Sequence, residues 1–520
     1  MPVDGCSTGS LGADEIVFDP GLAQATITLA AGQLEVFNDL SITGPVVDDA
    51  GGIVIDGNAQ SRILFIEGSM ASEFVVGLTG MTLTNGFESG SDGGAVHVNF
   101  ADLDLDHVTV SDSSTESSSV GGILVRNGNL SLTSSSVTRN STERDVGGLW
   151  VPDGNLNLIS STVSDNSADR SVGGAALGAD ADGSLYMIDS TVSGNSALSA
   201  AGGLLVGTGP GQTTSIFDST FSNNTTTNSM GGALFIQSPD VEMTNVVVTG
   251  NSVNGGSDSR YGGGAWLGQG NMILTDVMIA GNSVARHGGG LFVRGTNLTL
   301  NDSRIINNSV TGDFPSAGGA MFIYQANVNN NNTTISGNTT ESPGSVSRGG
   351  GLYVDLNSEI FLNNSTISGN SAQGDDGQGG GIHLIRGSNA ALMHTTLANN
   401  TAASGADGIH LVPPTQFIDE SQFSLNNSLI FQAEAGQTAC STQATSHSNS
   451  LATDISCTGT ATSLSDIALQ PLADNGGPTL THALGRSSVA IESAGDCVAD
   501  FGIDTDQRGM QRPGIDSSAC

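Results

Sequence analysis

A short glycine-rich motif recurs along the chain at intervals of 26 to 31 residues. It reads "GGALFI" from Gly231, "GGGLFV" from Gly288 and "GGGLYV" from Gly349. A second signature follows each copy, such as "DSTVSGNSA" from Asp189, and a short run such as "NLTL" lies between the two. One unit of this length cannot bury its own apolar residues, so successive units must stack on one another.

Within each unit, three short runs alternate apolar and polar residues, which is the two-residue period of a half-buried strand. No segment has convincing helical periodicity. The sequence therefore predicts an all-β protein, a right-handed parallel β-helix (solenoid) with N- and C-terminal caps. The paired small residues are expected at a corner, where a larger side chain would clash or the backbone needs a positive φ.

Alignment of the units predicts two columns of stacked residues. The inward apolar column is Val96, Ile123, Leu149, Ala175, Leu204, Leu234, Ala265, Leu291, Met321, Leu352, Ile382 and Ile409. The asparagine column is Asn140, Asn166, Asn195, Asn224, Asn251, Asn282, Asn308, Asn338, Asn370 and Asn400. These asparagines either hydrogen-bond from coil to coil or occupy left-handed turns, and the sequence leaves both alternatives open.

The repeat also suggests how the chain is divided. Residues 1–80 contain apolar runs without the paired glycines and are predicted to form an N-terminal cap and the first coils. Residues 81–430 carry the repeat coils. Residues 431–520, where the repeat fades and Ser, Thr and Ala become frequent, are predicted to form a disulfide-containing C-terminal cap.

The five cysteines lie outside the repeats, and none forms a C-x-x-C pair of the kind that binds zinc. The local spacing of Cys440 and Cys457, and of Cys497 and Cys520, suggests two disulfides in an oxidising compartment. Cys6 would then be left without a partner.

The chain is strongly acidic, with 51 Asp and Glu against 14 basic residues, all of them Arg, and a net charge of −37. Such a surface repels nucleic acid and anionic membranes, and it favours solubility outside the cell. Cation binding is the alternative, with calcium the cation that outward carboxylates could hold; no other cofactor is indicated. No apolar stretch is long enough to span a bilayer, and "MPVDGCSTGS" has no signal-peptide character.

The pairing of "GGA[LI]" with an "F-x-x-N" motif, matched literally by Phe221 to Asn224, resembles the repeats of polymorphic outer membrane proteins, which are bacterial surface adhesins. The later segments "LADNGGPTLTHALGRSSVAIESAGDC" and "TDQRGMQRPG" resemble bacterial β-helix proteins that end in a choice-of-anchor region. The resemblance implies a secreted or outer cell-surface location, with signal peptide and anchor outside this sequence. It supplies no catalytic residues.

The residue that points outward from the glycine-rich strand is often aromatic. The candidate ligand-binding residues at this position are Trp150, Phe235, Trp266, Phe292, Phe322 and Tyr353. If exposed, such a row would form an apolar strip suited to sugar rings or to an apolar partner. Alternatively, loops fold over the rings and make them a satellite core.

Two other groups of residues could take part in chemistry. His383 and His410 occupy equivalent places in adjacent coils, but zinc needs three or four ligands, so no metal site is assigned. The outward carboxylates of Asp102, Asp104 and Asp106 could hold calcium or serve a glycosidase, although a solvated strand face explains them. No nucleophile elbow, phosphate loop or zinc spacing is present, and no catalytic residue is predicted.

The sequence thus favours an extracellular, adhesin-like binding or interaction scaffold whose partner is a surface protein of a host or neighbouring cell, or a polysaccharide. The alternatives are a polysaccharide-cleaving enzyme of the β-helix type, and a purely structural spacer. An enzyme predicts a cleft with two or more acids and an arginine near Asp102–Asp106 or near loops 254–262, 311–317 and 371–379. A converging pocket there favours catalysis, whereas a smooth side favours binding.

Overall fold

The computed structural model describes residues 14–45, 52–70, 74–181, 183–255, 260–432, 438–491, 493–494 and 503–512. The chain is all-β with very little helix, and its parallel sheets stack as a β-solenoid of about 14 turns, which confirms the predicted fold class. Its contacts divide it into unit one, Met1–Thr227 with Ala233–Asp240, and unit two, Asn228–Gly232 with Val241–Cys520. Cys6, Cys497 and Cys520 lie outside the described residues.

Each turn contributes strands to four faces, numbered here in chain order from the glycine-rich motif. The first face of unit one comprises Leu34–Val36, Leu64–Glu67, Val96–Asn99, Ile123–Arg126, Leu149–Val151, Ala175–Ala181, Leu204–Thr208 and Leu234–Gln237. The first face of unit two comprises Ala265–Gly268, Leu291–Arg294, Met321–Tyr324, Leu352–Asp355, Ile382–Leu384 and Ile409–Leu411.

The second and third faces belong to one sheet, because Val75–Thr84 and Asp102–Ser111 run through both. The remaining second-face strands are Asp14–Val17, Leu40–Thr43, Leu130–Thr133, Leu156–Ile159, Leu185–Ile188, Thr213–Phe217, Asp240–Thr244, Asn271–Thr275, Asn297–Asn301, Asn327–Asn331, Glu359–Asn363, Asn389–Met393, Gln422–Asn426 and Ser446–Ser448. The remaining third-face strands are Thr26–Thr28, Ile53–Asp56, Ser136–Thr138, Thr162–Ser164, Thr191–Ser193, Thr220–Ser222, Val247–Thr249, Met278–Ala280, Arg304–Ile306, Thr334–Ser336, Thr366–Ser368, Thr396–Ala398, Leu429–Phe431 and Leu451–Ala452.

The fourth face consists of the strands between the third face and the next glycine run, most of which begin directly after an asparagine of the column. They are Phe87–Glu88, Ser114–Thr115, Ser141–Thr142, Ser167–Ala168, Ser196–Ala197, Thr225–Thr226, Ser252–Val253, Ser283–Val284, Ser309–Thr311, Ser316–Ala317, Thr339–Arg348, Ser371–Gln378 and Thr401–Ala402. Outside the faces lie a 3-10 turn at Pro20–Leu22, short helices at Ile455–Thr458 and Leu464–Ile467, and an antiparallel pair, Leu469–Ala473 with Thr481–Leu484. No helix among the described ranges combines the length and apolarity that a membrane crossing requires.

The predicted inward column is confirmed by strand register within each unit. In unit one Ile123 pairs with Leu149, and in unit two Leu291 pairs with Met321. Every member is nearly or fully buried. The alternation of apolar and polar residues therefore places one side chain of each pair in the interior, turn after turn.

The asparagine column is a buried hydrogen-bonding ladder. The Oδ1 atom of Asn308 accepts hydrogen bonds from both the backbone N–H and the Nδ2 of Asn282, each at 2.9 Å. Its Nδ2 donates to the Ile279 carbonyl at 2.9 Å and to Oδ1 of Asn338 at 3.0 Å. The first sequence alternative is thus correct, because the left-handed conformation belongs to the preceding residue, such as Asn307 with φ of 55°.

The structure contains both kinds of small-residue position predicted at the corner, those where a larger side chain would clash and those where the backbone has a positive φ. A Cβ on Gly148 would lie 2.4 Å from the Gly174 carbonyl oxygen of the next turn, so close stacking excludes a side chain there. Gly288 has a φ of 69°, and a Cβ would meet the Leu291 carbonyl at 2.3 Å.

The C-terminal region folds back along the outside of the third face of unit two. The Cys440–Cys457 disulfide, predicted from spacing, is present with a Cα–Cα distance of 5.1 Å. Farther along, Gln507 is buried, where it accepts from the Thr366 hydroxyl at 2.7 Å and donates to the Thr334 hydroxyl at 3.1 Å.

We expect Asn308→Ala to lower the free energy of unfolding by about 2–4 kcal/mol, because it leaves the buried N–H of Asn282 without an acceptor. The matched control is Asn297→Ala, which removes an exposed asparagine whose Nδ2 donates to Oδ1 of Asn271 in the preceding turn. The control should cost about 0.5 kcal/mol or less. Urea unfolding followed by circular dichroism compares the two, and equal losses would contradict the role assigned to the buried ladder.

Candidate ligand-binding groove

The predicted outward aromatic position forms a column on the first face. In unit two we call the aligned residues the aromatic column: Trp266, Phe292, Phe322, Tyr353, His383 and His410. Trp150 and Phe235 occupy the same position in unit one. Stacking of equivalent residues within each unit is therefore confirmed, whereas ligand binding by these residues remains a prediction.

The rings of the aromatic column stack on one another. The Phe292 and Phe322 centroids are 5.1 Å apart with the planes inclined by 14°, and those of Phe322 and Tyr353 are 4.7 Å apart at 29°. The stack continues from Tyr353 to His383 at 5.2 Å. Because neighbouring rings occupy each other's faces, the edges of the interior rings are what remains to face outward.

The aromatic column of unit two is covered rather than open. Trp266 is 5% exposed and Tyr353 is 7% exposed. The aromatic residues of unit two therefore do not form an exposed apolar strip. Tyr261 lies 4.6 Å from Phe292, and His287 lies 4.7 Å from Phe322, between ring centroids. The rings are thus packed as a satellite core, the other alternative that the sequence left open.

Sequence reasoning missed the residues that provide this cover. They form a second column at the corner, here the corner column, just before the glycine run: Met230, Tyr261, His287 and Ala317. The signal was present in the sequence, since the residue before each glycine run is apolar or aromatic in most units. In unit one the corner residues are Val120, Val146, Val172 and Ala201, which cluster with Leu124 and Ala176 while Trp150 and Phe235 pack against them half-buried.

A groove of about 390 Å³ opens beside these columns in unit two. A third column lies two residues beyond the rings, here the rim column: Gly268, Arg294, Tyr324 and Asp355. The last three of these residues line the groove. Residues 315–317, which lead to the next glycine run, also line the groove. The Trp266 indole lies across Gly268, where a Cβ would be 2.4 Å from the ring, so glycine is required there.

Arginine supplies the charge of the groove. Arg294, Arg348 and Arg386 line it, and Asp355 is the only acid among the lining residues that the structure describes. Arg386 binds both carboxylate oxygens of the buried Asp355. The guanidinium of Arg294 lies over the Tyr324 ring, 5.7 Å from its centroid, a favourable cation–π arrangement.

The side chains of His287, His383 and Tyr353, in or beside the groove, are neutral at pH 7. Burial, reinforced by the charge of Arg286, lowers the pKa of His287 to about 3. Burial also holds the pKa of His383 well below its usual value. Burial and then the Asp355 carboxylate raise the pKa of Tyr353 to about 12. Positive charge in the groove therefore comes from arginine alone.

The other sequence candidates do not converge on this groove. Asp102, Asp104 and Asp106 lie on the outward side of one strand in unit one, as predicted, and Asp102 accepts a hydrogen bond from the Asn129 backbone at 2.7 Å. His383 and His410 stack at 5.1 Å. Within the described ranges, no group of three or more His, Cys, Asp or Glu is arranged to hold a metal ion.

Of the three loops identified from the sequence, two line the groove and the third is mainly a strand. Tyr261, at the end of 254–262, and the end of 311–317 both line the groove, so these two loops do meet at a concave surface. Residues 256–259 lie outside the described ranges. The third loop, 371–379, is mainly the strand Ser371–Gln378, paired with Thr339–Arg348 on the fourth face.

A larger cavity of about 590 Å³ lies between the C-terminal segment and the third face of unit two. Its lining includes Ile491, Ser493 and Ala494, which adjoin residues outside the described ranges. We therefore assign no site to it.

Comparison with known proteins identifies no family for this chain. No family model matches the chain, so the resemblance to polymorphic outer membrane protein repeats and to a choice-of-anchor region is not confirmed. No curated protein matches it either. Among solved structures, the chain is similar to the A-module of the mannuronan C-5 epimerase AlgE6 of Azotobacter vinelandii, at 13% identity and a TM-score of 0.24. That match covers 81% of this chain and 90% of the module, and it carries no functional argument.

We expect the His287→Phe variant to lose less stability than the wild type as the pH is lowered. The unfolded chain takes up a proton at His287 below about pH 6.5 and the folded chain only near pH 3, so stability is lost as the pH falls between these values. Removing the titrating group should recover about 1–2 kcal/mol at pH 4. Urea unfolding from pH 7 to pH 4 measures this. The control is His447→Gln, at an exposed position, and an identical pH dependence in His287→Phe and wild type would contradict the assignment.

Proposed function

We propose that this protein is a β-helix binding scaffold whose recognition site is the groove of unit two, and that its ligand is a polysaccharide. The observation that carries the proposal is the groove itself, where ring edges, Tyr324 and arginines line a concave surface of about 390 Å³. Ligand sites combine apolar and aromatic lining with a few placed polar groups in this manner. An adhesin-like role, with the ligand on a neighbouring or host cell, extends the proposal.

An extracellular or outer cell-surface location fits the same proposal. The Cys440–Cys457 disulfide is typical of an oxidising compartment. The net charge of −37 favours solubility and disfavours binding to nucleic acid. A solenoid with repeated surface columns also suits recognition of an extended ligand, because equivalent side chains recur at about 4.8 Å along the stack.

A polysaccharide-cleaving enzyme is the second candidate, and the concave surface formed by loops 254–262 and 311–317 favours it over a smooth binding side. The enzyme hypothesis is weakened by the small number of acidic residues that line the groove. Asp355 is the single carboxylate among the described lining residues, and it is bound to Arg386. Cleavage by paired carboxylates needs a second acid within about 10 Å. Assays for new reducing ends and for unsaturated products test this alternative directly.

We expect Tyr324→Ala to weaken glycan binding about 5- to 10-fold, because it removes a half-buried aromatic ring from the groove. The matched control is Tyr186→Ala, an exposed tyrosine on the second face of unit one. Wild type and both variants are applied to a glycan array, and bound glycans are then titrated by calorimetry. Failure of the wild type to bind any glycan, or equal losses in the two variants, would overturn the proposal.

A further inference from the structure

The groove carries a local charge opposite to that of the whole chain. Three arginines and one aspartate line it, an excess of two positive charges, while the chain as a whole carries −37. Because Asp355 is bound to Arg386, the excess belongs to Arg294 and Arg348. Neither forms an ion pair within 4.0 Å of a carboxylate in the described part of the chain.

Arginines elsewhere in this acidic chain form ion pairs with nearby carboxylates. In unit one, ion pairs join Arg62 to Glu88, Arg126 to Asp92, and Arg139 to Asp112. At the rim column, however, Arg294 has Gly268 and Tyr324 as its neighbours in the turns on either side, and neither is acidic. The buried Nε of Arg348 has no hydrogen-bond partner among the described residues.

The orientation of the aromatic rings points to the same kind of ligand. Phe292 and Phe322 use their faces to stack, so their edges are what a ligand would meet. The edge of an aromatic ring carries the positive part of its quadrupole and attracts electron-rich oxygen atoms. Ring edges and guanidinium groups that have no ion-pair partner among the described residues therefore favour the same ligand atoms.

We propose that the groove binds an anionic polysaccharide, whose carboxylate or sulfate groups pair with Arg294 and Arg348. This inference rests on the proposed function and specifies the chemistry of its ligand. A guanidinium group binds a carboxylate or sulfate through two parallel N–H donors, which gives both strength and orientation. The groove is lined from the turn of Trp266 to that of Arg386, four intervals or about 19 Å, which suits an extended chain.

An acidic peptide fits the groove less well than a polysaccharide does. An extended peptide that binds by adding a strand needs an open sheet edge. Here Leu291–Arg294 and Met321–Tyr324 each pair with strands on both sides, so the floor offers side chains rather than free backbone groups. The ligand must be recognised through its substituents, as a glycan is.

The negative charge of the rest of the protein does not prevent such binding. At physiological ionic strength, exposed charges are screened beyond about 8 Å. Repulsion from distant carboxylates therefore slows the approach of an anionic chain more than it weakens the contacts inside the groove.

The test is calorimetric titration of the full chain with polygalacturonate and with the same polymer after methyl esterification. Sulfated dextran and unmodified dextran form a second pair, which separates sulfate from carboxylate recognition. We expect the charged member of at least one pair to bind at least 10-fold more tightly than its neutral counterpart, with an affinity that falls as salt rises. Arg294→Gln and Arg348→Gln should each weaken that binding about 10-fold.

The matched control is Arg144→Gln, which removes an exposed arginine of unit one and should leave the affinity unchanged. Equal binding of charged and neutral polymers would overturn this inference and leave the proposed function standing. Absence of binding to all four polymers would overturn the inference, while binding of a different, neutral glycan on the array would still support the proposed function. Equally tight binding of polyglutamate would also overturn it, because the site would then recognise charge without recognising a glycan.

Discussion

Hydrogen bonding between successive turns is the interaction on which the rest of this structure depends. Backbone groups pair from strand to strand, and the asparagine ladder adds a side chain that accepts two hydrogen bonds from the turn before it. These groups are buried, so leaving one unpaired costs about 1–3 kcal/mol. A slip of register would leave many unpaired at once. Like residues are therefore held above like residues within each unit.

That register decides the character of the candidate site. Because Phe292 stands directly over its counterparts in neighbouring turns, aromatic residues at this position stack into a continuous column. The stack uses the ring faces, and the corner column adds Tyr261 and His287 against it. Of the two arrangements that the sequence allowed, an open apolar strip and a covered satellite core, the aromatic column of unit two forms the covered one. The groove beside it presents ring edges and arginine instead of flat ring faces.

Much of the fold could be predicted from the sequence, because the same pattern of small, apolar and polar residues recurs in successive units. The spacing of the glycine motif was sufficient to align every member of the inward column, and Leu291 and Met321 lie in the predicted register. Turn chemistry was also readable, since Asn, Asp and Gly occupy most left-handed positions. The local spacing of Cys440 and Cys457 was enough for one disulfide. The groove was not predicted, because Arg294, Arg348 and Asp355 come from different turns and belong to no shared motif.

The sequence alone thus determined the period, the β character, the inward side chains and the columns, because each of these depends on local alternation and on a repeat length. The tertiary structure alone decided which outward side chains are covered. On the first face of unit two the cover comes from Tyr261 and His287 against the rings of Phe292 and Phe322. On the third face it comes from the C-terminal segment, where Gln507 meets Thr366. These contacts join residues of different turns, and the sequence signals only part of them, through the apolar or aromatic residue that precedes most glycine runs.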